Sequence, residues 1–213
     1  MVTEDVTSVD ARIGFTGDDE DDGQDENIRA RILIDHAFNE WYAARIVTFL
    51  DKRKDNSFEY QGTTFENRFQ LLSAEDSGFD LGARVGFVTT DGDKKPYSLT
   101  YGLYQQIPLD TLTIRFNQLF SNDVGEDAAN GTEFEFRAQA IYHMNDDWGL
   151  GLESFNDFGN LSDHLDWSEQ SHSFGPVTKL KLNADTSMEM KYRTGLSDAA
   201  PDHTVGIFWK HNF

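Results

Sequence analysis

The chain has no cysteine and few basic residues, and each shortage excludes a class of function. Without cysteine there can be no disulfide framework, thiolate metal site or cysteine nucleophile. Lys and Arg number 18 against 38 Asp and Glu, which gives a formal net charge of −20. Nucleic-acid binding requires a basic surface, so this balance argues against a nucleic-acid partner.

Long apolar runs are also missing. No stretch approaches the roughly 18 to 20 apolar residues of a membrane-spanning helix. The first five residues, MVTED, lack the basic and apolar regions of a signal peptide, so we expect the sequence to represent a mature form. A mean hydropathy of −0.58 would ordinarily indicate a soluble protein. That inference fails for a β-barrel, whose strands are apolar only at every second position.

The sequence does contain a regular alternation of apolar and polar residues, clearest in residues 203–213. One face of this segment carries Val205, Ile207, Trp209, His211 and Phe213. The other face carries Thr204, Gly206, Phe208, Lys210 and Asn212. Alternation of this kind predicts a strand with one apolar side. An aromatic residue at the end of such a strand is typical of bacterial outer-membrane barrels.

Eleven earlier segments alternate in the same way, with the phase of the third decided by Arg45. They are 8–16, 27–37, 41–50, 63–72, 79–88, 97–106, 112–120, 133–143, 148–155, 174–182 and 188–196. The sequence therefore predicts an all-β fold: a transmembrane, up-and-down, antiparallel β-barrel of twelve strands, forming one domain over residues 1–213.

The connections between these segments also alternate. Those after odd-numbered strands are long or strongly polar, and those after even-numbered strands are mostly tight, with 73–78 the longest. This is the layout of an outer-membrane barrel, in which an even strand count would place both termini on the periplasmic side. Trp41, Tyr42, Tyr142 and Trp148 would then cluster near that rim as an aromatic girdle.

Basic residues are concentrated on the polar face of the predicted strands. Five of them lie in two loops, and the other thirteen are Arg12, Arg29, Arg31, Arg45, Arg68, Arg84, Arg115, Arg137, Lys179, Lys181, Lys191, Arg193 and Lys210. About eight acids share that face: Asp10, Asp35, Glu66, Asp80, Glu133, Glu135, Glu153 and Glu189. A charge facing lipid near the midplane costs roughly 2 to 4 kcal/mol, so the polar face should line a lumen.

A basic lumen predicts a pore for passive diffusion of small anionic solutes. The candidate lumen and solute-binding residues are Arg29, Arg31, Arg45, Arg68, Arg84, Arg115, Arg137, Lys191 and Arg193. Three alternatives stay open. The arginines could pair with the lumen acids and close a structural or adhesive barrel. The chain could be a soluble all-β protein with its apolar face inward. It could also be a surface hydrolase using His172 with Ser171 or Ser173.

Twelve strands in little over two hundred residues, an arginine-lined lumen and a terminal Phe213 resemble the small monomeric porins for acidic oligosaccharides, of the oligogalacturonate- and sialic-acid-specific type. The resemblance covers the whole chain but contains no local motif from which individual ligand contacts could be transferred. It implies a monomeric, cofactor-free pore in the outer membrane, in contact with lipid and lipopolysaccharide.

Two acidic stretches suggest weaker alternatives. In the first loop, Asp18, Glu20, Asp22 and Gly23 match early positions of an EF-hand calcium loop. Position 12, which requires a bidentate Glu, is Arg29, so the motif fails and we expect a solvated loop without a metal site. Asp163 and Asp166 beside Trp167 could bind a sugar, although a charged surface loop is the simpler interpretation.

Overall fold

The computed structural model describes residues 5–18, 25–54, 56–91 and 96–213. These residues form twelve strands and one short helix. The elements are β1 (Thr7–Gly17), β2 (Asn27–Ala37), β3 (Tyr42–Lys52), β4 (Glu59–Leu72), α1 (Ala74–Ser77), β5 (Asp80–Thr90), β6 (Tyr97–Pro108), β7 (Leu112–Val124), β8 (Glu133–His143), β9 (Trp148–Asn160), β10 (Ser171–Lys181), β11 (Thr186–Gly195) and β12 (His203–Asn212).

The strands form a closed antiparallel barrel in which each strand pairs with its neighbours in sequence and β12 pairs with β1. This closing pair runs from Ser8 opposite Asn212 to Gly17 opposite His203 without a register shift. The predicted all-β, twelve-stranded, up-and-down barrel is confirmed. Within the described ranges, no helix has the length and apolar character needed to cross a membrane.

The apolar face of every strand points outward. Ile32, Phe65 and Leu152, on β2, β4 and β9, are each 50% exposed, and similar side chains surround the barrel. The opposite face carries the charged residues and points inward, as shown by the pairing of Asp35 with Arg45 and of Arg45 with Glu66. A soluble barrel has its apolar residues inside, so the observed orientation is that of a barrel immersed in lipid.

The two ends of the barrel differ. Residues 38–41, 109–111, 144–147 and 182–185 make tight turns at the end that we call the short-turn end. Three of these turns use the same device, in which an Asn side chain accepts two backbone N–H bonds from residues two and three positions later. The three residues are Asn39, Asn145 and Asn183. Asn supplies a side-chain oxygen that stabilises a turn locally.

The predicted aromatic residues lie at the short-turn end. Trp41, Tyr142 and Trp148 are about half exposed there. Tyr42 stacks on Phe38, with ring centroids 5.4 Å apart, and is close to Phe69 at 5.5 Å. Such rings suit the boundary between lipid and water, because each combines an apolar body with a polar edge or neighbour.

Three strands extend by four or more residues further toward the opposite end, the long-loop end, than the sequence predicts. β4 begins at Glu59 instead of residue 63, β7 continues to Val124 instead of 120, and β9 continues to Asn160 instead of 155. These extensions are polar and resemble loop sequence. Ladder pairing, as between Ser98 and Asp123, nevertheless holds them in the sheet.

The connection at 73–78 contains the short helix α1. Gly78 ends the helix at φ 77°, a left-handed conformation that glycine adopts at little cost. Asp80, which is buried, accepts a hydrogen bond of 2.8 Å from the Ala74 backbone N–H.

Candidate functional site: the barrel lumen

The first cluster of inward charges lies on β2 to β5. Arg45 Nε is 2.6 Å from Asp35 Oδ1, and Arg68 Nη1 is 2.9 Å from the same oxygen. Arg84 Nη1 is 2.9 Å from Glu66 Oε2, while Arg45 and Arg68 each approach Glu66 Oε1 to 3.7 Å. Strand register places these residues side by side, because Arg45 pairs with both Asp35 and Glu66. Two carboxylates thus neutralise much of the charge of three guanidinium groups.

A second cluster lies on β9 to β11. Lys191 Nζ is 2.8 Å from Glu153 Oε2 and 2.7 Å from Glu189 Oε1. Lys179 Nζ is 3.2 Å from Glu189 Oε2, and Arg193 Nε is 3.5 Å from Glu153 Oε1. Both clusters are largely shielded from solvent, so their ion pairs are screened less than those on the surface.

Aromatic rings separate like charges on the inner wall. The guanidinium carbons of Arg137 and Arg193 lie 4.7 and 4.8 Å from the centroid of the Phe155 ring. In the same way, Phe208 has Arg12 at 4.8 Å and Lys191 at 4.4 Å. Each ring therefore makes two cation–π contacts, which are worth about 0.5 to 2 kcal/mol each.

The sequence pattern did not reveal the role of these rings. Phe155 and Phe208 lie at polar-face positions of their strands, and an aromatic residue at such a position is the one available signal. The cations that contact each ring come from other strands, so local spacing cannot identify them.

The lumen carries more acids than the sequence predicts. Besides the eight expected residues, Asp51, Glu59, Asp123 and Asp157 occupy inward positions of β3, β4, β7 and β9. Within the described ranges, the inward face has thirteen cations and twelve acids. The predicted thirteen-to-eight excess of positive charge is therefore wrong. The polar strand ends near the long loops have the composition of loops, so the sequence pattern does not place their acids in the lumen.

All nine candidate lumen residues face inward, but their environments differ. Arg29 makes a bidentate pair with Asp51, at 2.7 and 2.6 Å, near the long-loop end. Arg45, Arg68 and Arg84 belong to the first cluster, and Lys191 and Arg193 to the second. Arg137 pairs with Glu135 on its own strand. That these residues bind a solute stays a prediction.

Four inward cations have no carboxylate within 4 Å among the described residues. They are Arg31, Arg115, Lys181 and Lys210. The charge of Arg31, on β2, interacts with that of Arg29 on the same strand and with those of Arg137 and Glu135 on β8, six strands away around the barrel. Arg115 donates from Nε to Gln106 Oε1 at 2.6 Å, and its charge interacts with Glu189 across the lumen. Charged side chains on strands that are not neighbours therefore interact inside the barrel.

The hydrolase candidate is not assembled. His172 is 1% exposed and lies on the outward side of β10, whereas its neighbours Ser171 and Ser173 lie on the inward side. Its ring nitrogens face Asn156 Oδ1 and Gln170 Oε1, each at 3.0 Å, and Trp167 stacks on it with ring centroids 3.8 Å apart. Ser197 Oγ accepts a hydrogen bond from the His172 backbone N–H at 2.9 Å, but among the described residues no serine hydroxyl bonds to the ring, which holds the adjacent loop against the wall.

The described parts of the other two acidic stretches contain no metal-binding cluster. Most of the EF-hand-like match, residues 19–24, lies outside the described residues. Asp25 accepts a hydrogen bond from the Asp18 backbone N–H at 3.3 Å, which lowers the pKa of Asp25. No group of three or more His, Asp or Glu suited to a metal occurs in the described ranges. Trp167, beside Asp163 and Asp166, donates from Nε1 to Leu196 O and covers His172.

Comparison with known proteins finds likeness in structure and none in sequence families. No family model and no curated protein matches the chain. The barrel is similar to the KdgM porin, with a TM-score of 0.66 and 12% identity over 97% of this chain and 99% of that one. It is similar to the KdgM porin in complex with disordered oligogalacturonate, with a TM-score of 0.63 and 12% identity over the same shares.

A third solved structure is similar over the full length. The COG4313 outer membrane channel from Pseudomonas putida F1 has a TM-score of 0.75 and 8% identity over 100% of this chain and 97% of that one. At these identities the comparisons establish the fold alone. The predicted resemblance to small twelve-stranded porins is confirmed at that level.

Proposed function

We propose that this chain is an outer-membrane pore through which small, mainly anionic solutes diffuse passively. The observation that carries the proposal is the set of four inward cations without a carboxylate partner among the described residues, Arg31, Arg115, Lys181 and Lys210. Free Arg and Lys side chains in a lumen raise the local concentration of anions. The similar solved structures are those of the KdgM porin and of the COG4313 outer membrane channel, which supports a pore.

We further propose that the barrel spans the outer membrane with a fixed orientation. The outward apolar surface contacts outer-membrane lipid, and the long loops contact lipopolysaccharide. Both termini face the periplasm, because short turns lie on that side in barrels of this kind. The pore functions as a monomer without a cofactor.

Planar-bilayer recordings under a KCl gradient test this function. The reversal potential should show preference for chloride over potassium. Replacing both Arg31 and Arg115 by Gln should shift it toward the value of a neutral pore, because both residues lack a paired carboxylate. The matched control removes one cation from the outward side of β3, as Lys52→Gln, and should leave the reversal potential unchanged. Cation preference in the unchanged protein would contradict the proposal.

The ion-pair clusters favour a second candidate, a structural or adhesive barrel that does not conduct. Glu66 alone is within 4 Å of three arginines, and Glu153 and Glu189 connect three further strands, β9 to β11, through Lys179, Lys191 and Arg193. A folded protein that inserts into bilayers without any conductance would support this candidate and exclude the pore.

A further inference from the structure

The inward charges are unevenly distributed along the barrel axis. Five acids occupy inward positions within the last four residues of their strands beside the long loops, and we call them the acidic collar: Asp51, Glu59, Asp123, Glu133 and Asp157. The one described inward cation at that level is Arg29, which is paired with Asp51. The remaining inward positions of the described strands carry seven acids and twelve cations.

Three collar acids have only neutral hydrogen-bond donors among the described residues. Asp123 accepts a bond from Ser98 Oγ at 3.1 Å, Glu133 from Ser121 Oγ at 3.2 Å, and Asp157 from the Gly159 N–H at 2.9 Å. All three partners are neutral. Each carboxylate lacks a described basic partner within 4 Å, so no neighbouring cation among the described residues offsets its charge.

The unpaired cations lie deeper. Arg31 lies inside the barrel, two residues along β2 from Arg29. Arg115, Lys181 and Lys210 are nearer the short-turn end, where Lys181 and Lys179 also line a cavity of about 300 Å³ beside the 183–185 turn. Negative charge without a described basic partner at one end is therefore followed mainly by unpaired positive charge, with Asp80, which has only neutral described partners, as the exception near the short-turn end.

We propose that the acidic collar is a second selectivity element, placed in series with the basic interior, and that it makes conduction directional and favours solutes that carry an ammonium as well as a carboxylate group. The inference rests on the proposed pore function. A simple anion is repelled at the collar and a simple cation is repelled by the interior. A zwitterion can orient its two charges so that each meets the opposite sign.

Current should also depend on the sign of the voltage. A field that drives anions in through the basic end and cations in through the acidic end fills the lumen with both ions. The reverse field depletes the lumen, because each ion then meets the zone that repels it. The pore should rectify at low salt, and high salt should reduce the effect because the Debye length falls to roughly 3 Å at 1 M.

Single-channel current–voltage curves in low-salt KCl test the directional part. The unchanged protein should pass unequal currents at equal positive and negative voltages. In the triple variant Asp123→Asn, Glu133→Gln, Asp157→Asn, the ratio of the two currents should move toward one, because the three collar charges without a described basic partner are removed. Each replacement keeps an oxygen that can accept the existing hydrogen bond, so folding should be preserved.

A control removes the same charge from the opposite end. The variant Asp146→Asn, Asp147→Asn, Asp185→Asn changes three exposed side chains in the short turns, which border the cavity lined by Lys179 and Lys181 and form no ion pair within 4 Å among the described residues. It should keep the rectification. Equal currents in the unchanged protein, or equal effects of the two triple variants, would overturn the inference while leaving a conducting pore. Absence of all conductance would instead overturn the proposed function.

Liposome-swelling rates test the solute part with two probes that differ mainly by one ammonium group, glycylglycine and N-acetylglycine. Glycylglycine should enter faster relative to N-acetylglycine through the unchanged protein than through the collar variant. A ratio that is the same for both proteins would show that the collar does not discriminate between them.

Discussion

At the scale of single residues, the inner wall depends on a few buried carboxylates that each neutralise several cations. The Glu66 side chain is only 3% exposed and is within 4 Å of Arg45, Arg68 and Arg84. Removing one member of a buried ion-pair group leaves the partners desolvated and uncompensated, which costs more than the pair contributes in net stability.

Replacing Glu66 by Gln should therefore lower the free energy of unfolding by about 3 to 5 kcal/mol. The shape of the side chain is kept, so the loss reports the missing charge. Urea unfolding in detergent micelles, followed by tryptophan fluorescence, measures it. The control, Glu133→Gln, removes an exposed carboxylate whose described partner is a serine, and should have little effect. Equal losses of unfolding free energy in both variants would show that the cluster around Glu66 stabilises the barrel no more than an exposed carboxylate does.

The sequence predicts which face of a strand many of these residues occupy, but it does not predict their ion-pair partners. Alternation alone places Arg45 and Glu66 on one face, because side chains on a strand follow period two. It does not show that Arg31 stays unpaired while Arg45 has two carboxylates, since that depends on register between strands. Asp123 and Asp157 were missed as lumen residues because polar strand ends and loops have the same composition.

At the scale of elements, the backbone of β10 approaches that of its neighbour very closely at Gly175. A Cβ atom added at Gly175 would lie 2.0 Å from Tyr192 O and 2.9 Å from Arg193 Cα, both on β11. Pro176 follows and has no N–H for the ladder, and the register passes from Phe174–Thr194 to Val177–Lys191 without pairs between them. Glycine at 175 keeps the two strands together where the ladder is interrupted.

Gly175→Ala should lower stability by about 1 to 3 kcal/mol, the usual cost of overpacking, because the new methyl group collides with backbone atoms that cannot rotate away. The matched control is Gly14→Ala on β1, where the nearest atom to an added Cβ is 3.8 Å away. The midpoint of urea unfolding compares the two. A tolerated change at 175 together with a damaging one at 14 would contradict this account of the packing.

Most elements, but not all of their ends, follow from the pattern. The number, order and phase of the strands were predictable because lipid and lumen impose alternate demands on successive residues. The helix α1 was not, since its four residues are too few to show a period. The loop held by His172 was also hidden, because its contacts with Asn156, Gln170 and Trp167 come from three separate places in the chain.

At the scale of the whole molecule, the apolar outer surface determines whether the protein stays dispersed in water or requires lipid or detergent. Exposed Ile, Leu, Phe and Val side chains cover the outward face all around the barrel. Continuous apolar surface of this extent in water drives association.

We therefore expect a monodisperse monomer in detergent, with a protein mass near 24.2 kDa, and aggregation when detergent is removed. Size-exclusion chromatography with light scattering measures both. A monodisperse protein in plain aqueous buffer would show that the apolar face is covered and would remove the basis for placing the barrel in lipid.

The pairing of β12 with β1 has a consequence for how the barrel assembles. Eleven of the pairings between described strands join neighbours in sequence and can form as hairpins, whereas this one joins the two ends of the chain. Until it forms, two strand edges carry backbone donors and acceptors that lipid cannot satisfy. The longest-range contact is thus also the one that relieves this penalty, so closure should be the last and committing step of insertion, with earlier intermediates able to reverse.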